Sequence, residues 1–156
     1  MLGLALAIFG AALAVILAGI GSARGIGAAG QAAAGVISED PDKFGKTLLL
    51  QALPGTQGIY GLLAAILVMT KVGLLGEVQA LDLNVGLQIL FACLPIAFTG
   101  FFSGIFQGKV CVSGIYLLAK QPDQVGKGVI YSAMVETYAV FGLLTTLLLL
   151  NGIKVA

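Results

Sequence analysis

The sequence predicts an all-α membrane protein of four spanning helices, arranged as two duplicated hairpins. The first ground is composition: 59% of the residues are hydrophobic and only 10% charged, against about 25% charged residues in an ordinary soluble domain. The second is four apolar runs, Met1 to Ala23, Thr47 to Thr70, Asn84 to Gly108 and Gly128 to Ile153, free of charge except for Glu136. Each matches the ~20 residues that a helix needs to cross a bilayer. The third is an internal repeat. A shift of 81 residues lays Pro41, Asp42, Gly45, Lys46, Ala52, Thr56 and Gly61 on Pro122, Asp123, Gly126, Lys127, Ala133, Thr137 and Gly142. Residues 1–156 therefore read as a single membrane domain, with a first hairpin repeat over 1–75 and a second over 84–156.

The first apolar run imitates a signal peptide, with small residues near Ala18 to Ala23. It lacks a basic leading region and is longer than the usual ~7 to 15 apolar residues, so it is read as a retained helix. Gly25 to Gly30 matches GxGxxG but follows no strand pattern, which removes dinucleotide binding. Gly21, Gly25 and Ala29 instead form a ridge of small residues on which another helix can approach closely. Arg24 is expected at the cytoplasmic end of this helix, and Lys109 at that of the third, both snorkelling towards headgroups. A shift of 85 pairs Ser22 and Arg24 with Gln107 and Lys109, which implies about one extra turn in the first repeat.

The second run contains Leu53-Pro54-Gly55-Thr56-Gln57-Gly58-Ile59-Tyr60-Gly61. Leu53, Thr56, Gln57 and Tyr60 recur at i, i+3, i+4 and i+7, so one face of this helix is polar. Pro54 removes a backbone donor and the neighbouring glycines let the chain deviate, which frees carbonyl oxygens at membrane depth. Such carbonyls persist only where protein or a bound ion satisfies them. Cys93 and Cys111, in or beside the third run, read as small packed hydrophobes rather than a disulfide or metal pair.

The fourth run carries the outlier. A carboxylate at bilayer depth costs at least ~2.5 kcal/mol and is normally kept for ion or proton handling. Glu136 is that carboxylate, and Gly55 stands at the matching place in the first repeat, so one acid serves four helices. Glu136, Gln107, Thr56, Gln57 and the Leu53 carbonyl could together form a five-oxygen cage of one negative charge, suited to a monovalent cation such as Na+. The alternative is that Thr56, Gln57 and Gln107 are hydrogen-bonding glue between helices.

Basic residues orient the chain. Arg24, Lys43, Lys46, Lys109, Lys120 and Lys127 flank the first and third connections, whereas only Lys71 and Lys154 lie at the opposite end. The positive-inside rule then places the basic loops in the cytoplasm, with both termini and the Gly76 to Asn84 loop outside a cell membrane crossed several times. A net charge of +1 does not fit a nucleic-acid partner. The chain has no histidine and no GxxxxGK[ST] loop, so it carries no ATP-hydrolysing site.

The runs Leu53 to Gly61, Leu94 to Lys109 (LPIAFTGFFSGIFQGK) and Met134 to Ala139 (MVETYA) closely resemble the rotor-ring proteolipid subunit of bacterial V-type ATPases, over essentially the whole chain. The resemblance is closest to the sodium-translocating branch. It implies a homo-oligomeric ring, lined inside by the first and third helices. It implies Na+ held by the Leu53 carbonyl, Thr56, Gln57, Gln107 and Glu136, with Tyr60 hydrogen-bonding the carboxylate and Pro54 supporting the site. The implied partners are identical copies, a stator membrane subunit supplying a cation, central-stalk subunits and membrane lipids. Proton coupling in the same rotor role is the alternative, followed by a self-contained cation transporter or channel and by a purely structural ring protein.

Overall fold

A computed structural model describes residues 1–78 and 80–155. Helix α1 spans Leu2–Glu39, and a 3-10 turn at Pro41–Lys43 leads into α2, Phe44–Ala52. A second 3-10 turn, Leu53–Gly55, separates α2 from α3, Thr56–Lys71. Helix α4 spans Leu83–Lys120, and a third 3-10 turn, Pro122–Gln124, opens α5, Val125–Gly152. Four arms, Leu2–Glu39, Pro41–Lys71, Leu83–Lys120 and Pro122–Gly152, are long and apolar enough to cross a membrane. The described residues contain no strand.

Turn chemistry sets the ends of the hairpins. Asp40 leaves helical backbone and its Oδ1 accepts the Asp42 N–H at 3.2 Å, with Pro41 starting the next turn where its missing donor is harmless. Across the bundle the Lys43 ammonium donates to the Ala119 carbonyl at 3.0 Å and the Lys46 ammonium to that of Pro122 at 3.1 Å. The first and third connections therefore sit at one end. At the other, Gly73 takes φ +76 and ends α3. Its N–H donates to the Thr70 carbonyl, and the Leu74 N–H to that of Met69, so the last orphan carbonyls are satisfied.

Helices α1 and α4 each run 38 residues, about 57 Å at 1.5 Å per residue, well beyond a ~30 Å hydrocarbon core. This corrects the placement of Arg24 and Lys109 at helix ends: α1 continues unbroken to Glu39 and α4 to Lys120. The glycines around Arg24 do not stop the helix, and two of them, Gly21 and Gly25, are packing surface. A Cβ on Gly21 would come within 2.7 Å of the Phe101 Cα, and one on Gly25 within 2.7 Å of the Pro54 Cβ. Only bare backbone fits there, as the small-residue ridge required. The GxGxxG run lies wholly inside this helix.

The repeat register is corrected as well. Leu2–Glu39 and Leu83–Lys120 have equal length and each precedes a 3-10 turn beginning at Pro41 or Pro122, so the offset of 81 holds through the first helix of each hairpin. No extra turn is gained. Ser22 is thus the counterpart of Ser103, and Gln107 the counterpart of Ile26.

Two apolar clusters fill the bundle. One joins Ala7, Ala11 and Ala14 of α1 to Ala64, Ala65 and Val68 of α3 and Ile89, Ala92, Cys93 and Ile96 of α4. The other gathers Ala29 and Ala33 with Leu50, Cys111, Ile115 and Leu118. Both cysteines are free and buried, as expected of small hydrophobes, and Cys111 lies 3.0 Å from the Ser132 hydroxyl. Alanine dominates because lipid offers no hydrophobic drive between helices, so close van der Waals approach has to supply the cohesion.

Candidate ion-binding site

The site begins at the interruption between α2 and α3. Pro54 has no N–H to continue the helix, and the chain tightens to a 3-10 turn in which the Thr56 N–H donates to the Leu53 carbonyl. The Thr56 hydroxyl donates to the same carbonyl at 3.2 Å and lies 3.5 Å from Gln57 Oε1. Pro54 is buried against Gly25 of α1. From α1, Ser22 Oγ accepts the Gly58 N–H at 2.8 Å, satisfying an orphan donor of the first turn of α3. Gly58 leaves room for that hydroxyl, since a Cβ there would stand 3.3 Å from Ser22 Oγ.

Helices α4 and α5 complete the constellation. Gln57 and Gln107 are fully buried. Gln57 Nε2 donates to Ser103 Oγ at 3.1 Å and also to Gln107 Oε1. Gln107 Nε2 donates to Glu136 Oε2 at 3.2 Å, and the Tyr60 hydroxyl donates to Glu136 Oε1 at 2.7 Å. Ser103 in turn donates to the Val135 carbonyl at 3.0 Å, fixing α4 against the turn of α5 that holds Glu136. Leu53, Thr56, Gln57, Tyr60, Gln107 and Glu136 of the expected set come together in one continuous network, and Pro54 stands beside it in the turn that begins at Leu53.

Two properties define its chemistry. Both carboxylate oxygens accept from neutral donors, and the one salt bridge among the described residues, Lys43 with Asp40 at 3.2 Å, lies elsewhere. Among the described residues, no cation pairs with Glu136. Within the same network stand the Leu53 carbonyl, the Thr56 hydroxyl and two amide oxygens, all hard donors. Such a set can hold a small monovalent cation against the carboxylate, or a proton on it. Among the described residues no three His, Cys, Asp or Glu side chains cluster, so Glu136 is the one carboxylate of this network.

Ser103 and Ser22 are the residues that reading the sequence missed. Ser103 precedes Gln107 by one helical turn on α4, a spacing that could have flagged it. For Ser22 the only signal was its pairing with Ser103 at an offset of 81, which the 85-residue shift concealed.

Residues 9–68 and again 90–149 match the ATP synthase C subunit family. The chain is 49% identical over 151 residues to the V-type sodium ATPase subunit K of Enterococcus hirae, covering 96% of this chain and 94% of that one. It is 40% identical over 144 residues to the A-type ATP synthase subunit K of Methanocaldococcus jannaschii, covering 92% of this chain and 61% of the relative. The 16 kDa proteolipid of the V-type proton ATPase of Nephrops norvegicus is 25% identical over 142 residues, 91% of this chain and 87% of its own.

Proposed function

The chain belongs to the ATP synthase C subunit family, and on that premise we propose that it is the rotor-ring subunit of a V-type ATPase and carries Na+ on Glu136. It is a multi-pass membrane protein with no catalytic site of its own; in such complexes ATP is hydrolysed on other subunits. The observation that carries the sodium assignment is that Glu136, held by the Tyr60 hydroxyl and the Gln107 amide, shares one network with the Leu53 carbonyl, the Thr56 hydroxyl and two amide oxygens, and pairs with no cation among the described residues. The name of the Enterococcus hirae relative, a sodium ATPase subunit, supports it.

In this reading Na+ is the cargo. The Leu53 carbonyl, Thr56, Gln57 and Gln107 replace its hydration, and Glu136 neutralises its charge, so a loaded site can face lipid at a tolerable cost. Tyr60 holds one carboxylate oxygen and Gln107 the other, which orients the acid before the ion arrives. Release requires a competing cation, supplied by a stator subunit. Neither Arg24 nor Lys109 makes an ion pair with Glu136, and Lys109 instead lies over the Phe106 ring at 5.1 Å. The basic connections face the cytoplasm and both termini face outside, by the charge bias of the loops.

Binding of radioactive Na+ to purified rings tests this, with one site per chain expected. Glu136→Gln should abolish Na+-coupled transport in reconstituted vesicles while rings still assemble, and transport at the unsubstituted rate would rule the assignment out. Proton coupling is the competing reading, favoured by the proton ATPase names of two more distant relatives. It wins if Na+ gives Glu136 no protection from a hydrophobic carbodiimide at any pH.

A further inference from the structure

A glutamine side chain ends in two groups of nearly the same shape and opposite chemistry, an acceptor oxygen and a donor nitrogen. Turned with its oxygen inward, Gln57 is a cation ligand; turned with its nitrogen inward, it only ties helices together. The polarity of the hydrogen-bond chain decides between these two uses, and both ends of that chain are acceptors. One end is the Val135 carbonyl. The Ser103 hydroxyl donates its one proton there at 3.0 Å, so towards Gln57 it can only accept. It accepts from Gln57 Nε2 at 3.1 Å, which leaves Gln57 Oε1 on the other side, 3.5 Å from the Thr56 hydroxyl. The other end is the Glu136 carboxylate. Gln57 Nε2 also donates to Gln107 Oε1, and Gln107 Nε2 then donates to Glu136 Oε2 at 3.2 Å. The chain thus runs from the Gln57 amide to two acceptors on adjacent residues of α5.

Resting on the sodium reading above, we propose that Ser103 is the positioning residue that sets this polarity: its hydroxyl holds the Gln57 amide with the oxygen on the side of Thr56, and so makes the constellation a cation cage instead of helix glue. Of the two ends, only the carbonyl is constant. Glu136 exchanges its cargo at the stator, whereas the Val135 carbonyl remains an acceptor in every state of the rotor. Ser103 is 4% exposed, so bulk water does not stand in for it. Its counterpart at the repeat offset of 81 is Ser22, which serves backbone and not an amide side chain, accepting the Gly58 N–H at 2.8 Å. Orienting an amide is therefore a use peculiar to the serine on the helix that faces the acid.

Removing the hydroxyl leaves Gln107 Oε1 as the acceptor of Gln57 Nε2. That oxygen is itself one of the donors offered to Na+, so the bond that orients Gln57 and the ion then compete for it. The cage loses its preorganisation while its charge is untouched, since Glu136 and its bonds from Tyr60 and Gln107 remain.

The test is the Na+ concentration that half-protects Glu136 from a hydrophobic carbodiimide in purified rings at fixed pH. Ser103→Val and Ser103→Thr have the same shape and differ only in the hydroxyl, and the methyl groups they add have room in a cavity of about 300 Å³ that Ser103 lines. Ser103→Val should raise the half-protecting concentration about two- to tenfold, the worth of one neutral hydrogen bond, and Ser103→Thr should restore it. Ser103→Ala, which adds no volume, should match Ser103→Val. In a Gln57→Leu background there is no amide to orient, so Ser103→Val should cause no further loss. Equal losses in the Val and Thr variants, a loss in Val that Ala does not share, or losses that add in the double variant overturn the role and leave Ser103 as packing. Absence of Na+ protection in the unsubstituted protein overturns the sodium reading itself.

Discussion

Gln107→Leu isolates the neutral half of the site from its charge. The side chain is fully buried and links two partners, donating to Glu136 Oε2 at 3.2 Å and accepting from Gln57 Nε2. Leucine has nearly the same volume, so packing should survive and polar chemistry should not. A hydrogen bond to a charged group is worth ~1.5 to 3 kcal/mol. Gln57 keeps Ser103 as a second acceptor, which limits the penalty on that side. The expected loss of Na+ binding free energy is therefore about 1.5 to 3 kcal/mol, roughly ten- to 150-fold in affinity. The assay is the Na+ concentration that half-protects Glu136 from a hydrophobic carbodiimide in purified rings at fixed pH. Labelling without Na+ should persist, because the acid is still present. An unchanged half-protecting concentration would refute the argument and leave Gln107 as glue between helices.

Tyr60→Phe removes the 2.7 Å bond to Glu136 Oε1 at a half-buried position, so Na+ affinity should drop about tenfold, at the lower end of the charged-bond range; a carbodiimide protection curve superimposable on the unsubstituted one would count against it. Na+ and a proton require the same carboxylate, and only the ionised form pairs with the ion. Apparent Na+ affinity should thus be constant at high pH and fall by up to about tenfold per unit as the acid protonates, a slope that a pH series of Na+ binding isotherms reads directly. In the protomer, Gly25→Ala puts a Cβ within 2.7 Å of the Pro54 Cβ and should destabilise by ~1 to 3 kcal/mol. Gly35→Ala, where nothing lies within 4 Å, should instead gain about 0.5 to 1 kcal/mol of helix propensity. Thermal unfolding in detergent compares them, and equal shifts would show that the glycine ridge is not tightly packed.

The bilayer makes much of this protein legible in its sequence. A spanning segment has to hide its backbone in a helix and present about 20 apolar residues, so the four arms could be read from charge-free runs alone. Against that background Glu136 stands out, and Pro54 announces a missing backbone donor. The residues that meet around the acid were likewise readable, because hydrogen-bonding side chains are scarce in lipid-facing sequence. Tertiary structure decided the rest. Gly25 and Gly27 both lie inside α1, and only the packed bundle shows what each faces: backbone of α4 and Pro54 for one, open space for the other. Helix α1 runs past Arg24 to Glu39, which restores a single repeat offset. Ser103 becomes part of the ion network only because the packing of α3 and α4 brings its hydroxyl to Gln57, and Ser22 only because α1 crosses the start of α3. Sequence by itself determined which residues could not be left alone in lipid, since burial sets that cost residue by residue. Which group satisfies each of them is a matter of distance between helices, and only the packed bundle sets those distances.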